Sequence, residues 1–340
     1  MCGIVAFKGN KEKTSEVIFE GLKLLEYRGY DSCGIGVIDN NEIKTFKWKG
    51  RVRKTEKRFI ESKIKSPIAI GHTRWATHGE PNDVNSHPIT SYNNKFAIVH
   101  NGIIENYREL KKILLEKGYE FYTETDTEVL VNFIELCVSN AKNIDKGISY
   151  ALSKLEGAFG IVLIQRSNTD IMYAARKGSP LAFGRKGENF FIASDATPII
   201  EYTKKIIYLD NSQLLKIDKT NFEVLDFDLN KVPKKFQEVD VELQKVELGD
   251  FDSYMLKEIM EQPESLNQTM LGRIKNNKIT LGGIQKYSKD LINTKRVIII
   301  GCGTSWHAGL VAEYFLEKYL RVPVEVEYAS EFRYRFPIIN

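Results

Sequence analysis

Hydrophobic and polar positions along the first 217 residues sort into a group of strands, a group of helices and a second group of strands. Ile4 to Lys8 reads as a strand, and Thr14 or Ser15 is placed to cap a helix whose Val17, Ile18, Leu22 and Leu25 fall on one face. Gly34 to Ile38 and Ile43 to Trp48 are strand-like around Asn40-Asn41, which predicts a hairpin. Short apolar strands follow at Ile68 to Gly71 and Ala97 to His100. Two helices come next, Tyr107 to Lys117 stopped by Gly118 and Thr127 to Asn140 capped by Asp126, and a third ends near Leu155. Strands return at Phe159 to Gln165, Ile171 to Ala175, Phe190 to Ala193, Ile206 to Tyr208 and Gln213 to Ile217. This grouping predicts an α+β sandwich over residues 2–217 rather than a repeating strand-helix unit.

From Asp218 the pattern changes. Asp226 to Asp252 mixes charge clusters with Pro233 and carries no long periodic run, so residues 218–252 read as a linker. A helix is expected near Tyr254 to Met270. The run Arg296 to Ile300 then leads into Gly301-Cys302-Gly303-Thr304-Ser305, an amphipathic helix to about Leu320 and a strand at Val322 to Val326. Strand, glycine turn, helix and strand open a parallel α/β sheet whose first turn points amides and hydroxyls toward an anion. Trp306 lies where a dinucleotide fingerprint would continue, which favours a sugar phosphate over a nicotinamide or flavin, and a tight turn without any ligand is an equal alternative. Two strands and one crossover cannot bury both faces of a parallel sheet. Residues 253–340 are therefore expected to be an incomplete domain, finished by a longer polypeptide or by another chain.

Composition narrows the classes. With 340 residues, 42% hydrophobic and 28% charged, the chain has the profile of a globular protein of about two domains. A net charge of +4 from dispersed basic residues gives no nucleic-acid surface. No apolar run approaches the ~18 residues of a membrane span, and the N-terminus lacks signal-peptide character. The four cysteines, Cys2, Cys33, Cys137 and Cys302, are scattered without a Cys-x-x-Cys pair, so neither zinc nor a disulfide framework is favoured and a reducing cytoplasmic setting fits.

Candidate chemistry begins at the second residue. Excision of Met1 leaves Cys2 with a thiol titrating near 8.5 and an α-amino group near 7.7–8.0, a nucleophile and its base in one residue. The run His72-Thr73-Arg74-Trp75-Ala76-Thr77-His78-Gly79 offers a guanidinium, hydroxyls and an aromatic suited to a carboxylate, or else a surface loop. The His72–His78 spacing is a weak metal signal. In His100-Asn101-Gly102, a side-chain amide and a backbone N–H could form an oxyanion hole, or a plain turn. Thr125-Asp126-Thr127-Glu128 opens a helix, where capping is the ordinary explanation and Asp126 could instead meet an ammonium group.

Together with Tyr27-Arg28-Gly29-Tyr30-Asp31-Ser32 and Glu105-Asn106, these motifs resemble the glutaminase domain of the glutamine–fructose-6-phosphate aminotransferase (isomerizing) family, the glucosamine-6-phosphate synthases. The likeness continues through Ala175 to Leu181, Ala193-Ser194-Asp195, Tyr254 to Pro263, Gly301 to Ser305 and Ser330 to Arg335. The resemblance implies a class II glutamine amidotransferase with an N-terminal-nucleophile αββα sandwich, followed by part of a sugar-isomerase (SIS) domain. By similarity, Cys2 attacks the glutamine amide and Asn101 with Gly102 steadies the oxyanion. Arg74 then takes the substrate α-carboxylate and Asp126 its α-amino group, Thr77 and His78 line the pocket, Trp75 lies in a closing loop, and Arg28 braces the nucleophile. Thr304 and Ser305 match residues of the sugar-phosphate site.

The implied partners are L-glutamine and, for the full-length enzyme, fructose 6-phosphate, with a homodimeric assembly, no cofactor and no metal. The family's second sugar-isomerase domain has no counterpart here, so glutamine hydrolysis alone is the expected activity of this chain. Asparagine synthetases and phosphoribosylpyrophosphate amidotransferases share the cysteine start but not the Gly301 to Ser305 region. A hydrolase of other amides would not need both Arg74 and Asp126, and a non-catalytic sugar-phosphate-binding chain is the reading if Met1 is retained.

Overall fold

The computed structural model of the chain describes residues 2–61, 65–75, 79–239, 251–270, 273–275, 278–279 and 287–339. It divides into two compact units, Met1–Tyr254 and Met255–Asn340. The first contains, in order, β1 (Gly3–Lys8), α1 (Thr14–Leu24), β2 (Ser32–Asp39), β3 (Glu42–Lys49), α2 (Glu56–Glu61), β4 (Ile68–Arg74), β5 (Ile89–Thr90) and β6 (Phe96–Ile104). The helices α3 (Tyr107–Glu116), α4 (Asp126–Asn140) and α5 (Ile144–Ser153) follow. Then come β7 (Gly157–Gln165), β8 (Asn168–Lys177), β9 (Ala182–Lys186), β10 (Asn189–Ala193), α6 (Thr197–Ile200), β11 (Lys205–Tyr208), β12 (Gln213–Asp218), β13 (Asn221–Asp226) and β14 (Gln237–Glu238).

Among the described residues these strands form two antiparallel sheets, ordered β14-β11-β9-β10-β1-β4-β2-β3 and β13-β12-β8-β7-β6-β5. Three buried clusters define four layers. Val17, Ile18 and Leu22 of α1 pack on Val5, Phe7 and Ile35 of the first sheet. Ile4, Ala6, Ile68 and Ile70 of that sheet meet Ala97, Val99, Val162 and Ile217 of the second. On the far side, Phe96, Ile98 and Phe159 lie under Leu114, Val129 and Ile148 of α3 to α5. The arrangement is an αββα sandwich, which agrees with the α+β sandwich that the pattern predicts and with the layering that the resemblance implies. Alternation explains it: every inner strand is apolar on both faces because each face of each sheet is covered.

Several local expectations are revised. Asn40 and Asn41 both take positive φ (51° and 61°), as a two-residue hairpin turn demands. Thr14, however, is already helical, and its hydroxyl donates to the Ser66 carbonyl at 2.5 Å instead of capping α1. The cap of α4 is Thr125, whose oxygen accepts from the Glu128 N–H at 3.2 Å, which frees Asp126 from that duty. Both β4 and β6 run past their apolar stretches, to Arg74 and Ile104. The pairing of β6 with β7 carries on through Asn101 and Gly102.

Residues 218–239 do not behave as a linker. Asn221–Asp226 turns back on β12 and Gln237–Glu238 pairs with β11, so both belong to the sheets; residues 240–250 of the expected linker lie outside the described residues. The strand Ala182–Lys186, too short and mixed to stand out as a pattern, is held between β10 and β11.

The second unit contains α7 (Tyr254–Met270), β15 (Ile274–Lys275), β16 (Lys278–Ile279), α8 (Ser288–Ile292), β17 (Val297–Gly301), α9 (Thr304–Leu320), β18 (Val324–Tyr328) and α10 (Ala329–Tyr334). As the pattern predicts, β17 and β18 pair in parallel across α9. The second strand starts after Pro323, which lacks the N–H a ladder needs. Among the described residues no helix is long and apolar enough to cross a membrane.

Candidate active site

Strand parity builds the site. On β4, Ile68 and Ile70 face the space between the sheets, and alternation puts His72 and Arg74 on the same face. On β6, Ala97 and Val99 face it, and Asn101 follows them. On β1, Ile4 and Ala6 face it, and Cys2 stands two residues ahead of Ile4. The register aligns these ends, with Gly3 beside Thr73 and Ile4 beside His72. Where the apolar filling between the sheets stops, a cavity of about 230 Å³ opens, lined by Cys2, Arg74, Asn101, Gly102, Asp126 and their neighbours.

The Cys2 sulfur is pinned to the backbone of one residue. It accepts from the Trp75 N–H at 3.2 Å and donates to the Trp75 carbonyl at 3.4 Å. Burial pushes the thiol up; the Trp75 N–H and the positive charges of Arg74 and Arg28 pull the other way without overcoming it. A thiol so placed needs a base to ionise at neutral pH. The Cys2 carbonyl accepts from Asn101 Nδ2 at 3.1 Å, and Asn101 Oδ1 lies 3.0 Å from His72 Nε2. Gly102 is exposed to the cavity with φ +126°, and a Cβ there would sit 1.9 Å from the Ala158 carbonyl oxygen. Only glycine fits that position.

Arg74 is buried, and its guanidinium donates to the carbonyls of Gly79 (3.2 Å) and Glu80 (3.4 Å). Burial lowers its pKa, while Cys2, Asp31, Asp126 and Glu124 act to raise it. Asp126 is also buried; one carboxylate oxygen accepts the Ile104 N–H at 2.8 Å and the other the Thr127 hydroxyl at 3.4 Å. A cation and an anion thus border one cavity beside a thiol. Trp75 is 44% exposed and packs edge-on against Tyr30, ring centroids 5.2 Å apart. Arg28 reaches the Ser194 carbonyl and Asp195 at 3.4 Å each, while the Ser194 hydroxyl accepts the Ile4 N–H, so this group ties down the start of β1. Gly29 lets the chain pass close by, since a Cβ would lie 2.7 Å from the Arg74 carbonyl carbon.

Of the residues expected in the glutamine pocket, Cys2, Arg28, Arg74, Trp75, Asn101, Gly102 and Asp126 border the one cavity. Thr77 and His78 lie outside the described residues. Thr304 and Ser305 open helix α9 of the second unit, after Gly303 at φ 58°. The metal reading of His72 finds its Nε2 already committed to the His100 carbonyl and Asn101.

Sequence reasoning missed a buried network in the cavity wall, where His87, His100 and Thr127 line the space and His72 lies behind them. His87 Nε2 and His100 Nδ1 both contact the Thr127 hydroxyl, at 2.8 and 2.9 Å, and the His72 and His87 rings lie 4.4 Å apart. For His72 and His100 the available signal was parity, a polar residue continuing a buried apolar series on its strand; His87 and Thr127 lie outside any strand.

A family profile described as a glutamine amidotransferase domain matches residues 53–267, and one described as a SIS domain matches residues 290–340. Over its whole length the chain is 45% identical to the glutamine–fructose-6-phosphate aminotransferase [isomerizing] of Bacteroides thetaiotaomicron and 44% identical to that of Chlorobaculum tepidum. It spans 56% of the length of each. A solved structure described as the allosteric regulatory enzyme of purine biosynthesis superposes with a TM-score of 0.59 at 28% identity, covering 67% of this chain and 50% of its own. The glutamine phosphoribosylpyrophosphate amidotransferase of B. subtilis has the same fold, with a TM-score of 0.59 at 22% identity over 96% of this chain and 65% of its own. With a profile match across most of its length and this fold, the chain belongs to the glutamine amidotransferase family.

Proposed function

We propose that this chain hydrolyses glutamine at Cys2, and that in a longer protein like its curated relatives the ammonia is passed to fructose 6-phosphate to form glucosamine 6-phosphate. The observation that carries the first part is the cavity that gathers a thiol, a buried guanidinium and a buried carboxylate. Those two charges suit the α-carboxylate and α-ammonium of one amino acid, and the cavity between them is small.

With Met1 removed, the free α-amine takes the thiol proton as sulfur attacks the side-chain amide carbon. Negative charge gathers on the amide oxygen, where Asn101 Nδ2–H and the Gly102 N–H can receive it. The same amine returns the proton to the departing nitrogen, ammonia leaves, and a thioester remains on Cys2. Water then attacks the thioester, releasing glutamate and restoring the thiol. The raised thiol agrees with this division of labour, because neither guanidinium ionises Cys2 unaided.

The acceptor half of the reading rests on the names of the relatives and on the glycine turn before α9, where Thr304 and Ser305 present hydroxyls and the first-turn N–H groups can hold a phosphate. The test is glutamate release by the purified chain beside Cys2→Ala, with intact mass to follow Met1 and a panel of other primary amides. Turnover confined to glutamine and absent in Cys2→Ala supports the reading. Absence of turnover with Met1 removed overturns it.

A further inference from the structure

We propose that His72 is a positioning residue whose Nε2–H holds the Asn101 carboxamide in the orientation that presents Nδ2, rather than Oδ1, to the developing oxyanion. The inference rests on the glutaminase reading. His72 is fully buried on β4, beside Ile4 on β1 and Gly34 on β2, and does not itself border the cavity.

Two backbone carbonyls decide the geometry without reference to hydrogen positions. His72 Nε2 lies 3.0 Å from the His100 carbonyl oxygen, which can only accept, so this nitrogen carries the proton. The same N–H is 3.0 Å from the Asn101 side chain, and an N–H requires an oxygen opposite it. At the other end of the amide, the Asn101 nitrogen is 3.1 Å from the Cys2 carbonyl, again an acceptor alone. A flipped amide would set oxygen against oxygen at Cys2 and N–H against N–H at His72. It would also turn lone pairs toward the place where negative charge accumulates.

Two further observations agree. His72 Nδ1 is buried with no hydrogen-bond partner among the described residues, which suits an unprotonated nitrogen better than an N–H. Burial also holds the imidazole neutral, down to about 3, so His72 is a fixed donor and not a titrating acid or base near neutral pH. Of the two Nδ2 protons on Asn101, one goes to the Cys2 carbonyl and the other is left for substrate.

The decisive comparison is His72→Gln against His72→Met, side chains of similar length that differ in whether they carry an amide N–H near the Nε2 position. His72→Met should lose about 10- to 100-fold in kcat for glutamate release, within what one oxyanion donor supplies, at unchanged KM. His72→Gln should recover most of that loss. In an Asn101→Ala background the methionine substitution should cost nothing more, since the group it positions is gone. Equal kcat in the two variants, or an undiminished cost beside Asn101→Ala, overturns the proposal. If the unsubstituted chain with Met1 removed releases no glutamate, the glutaminase reading fails instead. Should both variants fail to fold, the ¹⁵N spectrum of the histidine-labelled natural chain decides: an Nε2–H tautomer at His72 supports the proposal and an Nδ1–H tautomer overturns it.

Discussion

Arg74 and Asp126 bring opposite charges to one cavity, and their loss should be felt in binding more than in chemistry. Arg74→Gln and Asp126→Asn are each expected to raise KM for glutamine on the order of 100-fold, the equivalent of about 3 kcal/mol for a charge-assisted contact, with a smaller fall in kcat. Steady-state glutamate release checks this, and a loss confined to kcat would move both residues from substrate binding to catalysis. The buried histidines set a pH limit. His72 is held neutral down to about 3 against an ordinary value of 6.5, and burial shifts His87 the same way. Below about 6.5 the unfolded chain takes up protons that the folded chain refuses. Stability is therefore unaffected above this window and falls within it, by up to about 1.4 kcal/mol per pH unit for each such histidine. Urea midpoints between pH 7.5 and 4.5 should show the decline, and His72→Gln should remove one proton's share of the slope. Cys2 stood out in the sequence by its place directly after Met1, and Arg74, Asn101 and Asp126 because polar groups there follow apolar strands or open a helix. His72, His87, His100 and Thr127 did not, because their roles depend on which sheet faces which, and no single strand records that.

Elements, more than loops, carry the reacting groups, which limits what can be changed around them. The expectation of a loop from His72 and the alternative of a plain turn at Asn101-Gly102 both failed, since β4 continues to Arg74 and β6 to Ile104. Apolar periodicity ends where the cavity begins, so a strand that enters a polar site looks shorter in sequence than it is. The backbone pays no such attention: its ladder closes through Asn101 and Gly102 whatever their side chains do. Gly102→Ala should consequently disturb the sheet as well as the site, because a Cβ would lie 1.9 Å from the Ala158 oxygen at φ +126°. About 1–3 kcal/mol of stability should go to backbone strain alone, seen as a lower denaturation midpoint together with lost glutamate release. Thr125→Ala tests the revised cap of α4. Removing the oxygen that accepts the Glu128 N–H should cost about 1 kcal/mol, whereas an unchanged midpoint would return the capping role to Asp126.

At the scale of the chain the two units differ in how much they bury. All three apolar clusters lie within the first, between Ile4 and Leu225, and each is closed by a sheet or helix layer on both sides. In the second, Val324 is the one buried apolar side chain among the described residues, while Val311, Phe315, Tyr319, Phe336 and Ile338 are each more than half exposed. Burial of a large apolar side chain stabilises by about 1.5–3 kcal/mol, and ordering each residue costs about as much, so a unit with one such residue has little to offset its own ordering. The pattern foretold this contrast, because a two-stranded parallel sheet with one crossover was visible at Arg296 to Val326 and cannot cover itself. A fragment of residues 1–254 is thus expected to unfold in a single cooperative transition by circular dichroism and to release glutamate from glutamine once Met1 is removed. A fragment of residues 255–340 should keep helical signal without a sigmoidal melt and should bind an apolar dye. A cooperative melt in the second fragment would show that this unit has a core that the exposure of α9 conceals. Failure of the first to hydrolyse glutamine while still folding cooperatively would mean that the cavity at Cys2 needs more of the protein than the sandwich that surrounds it.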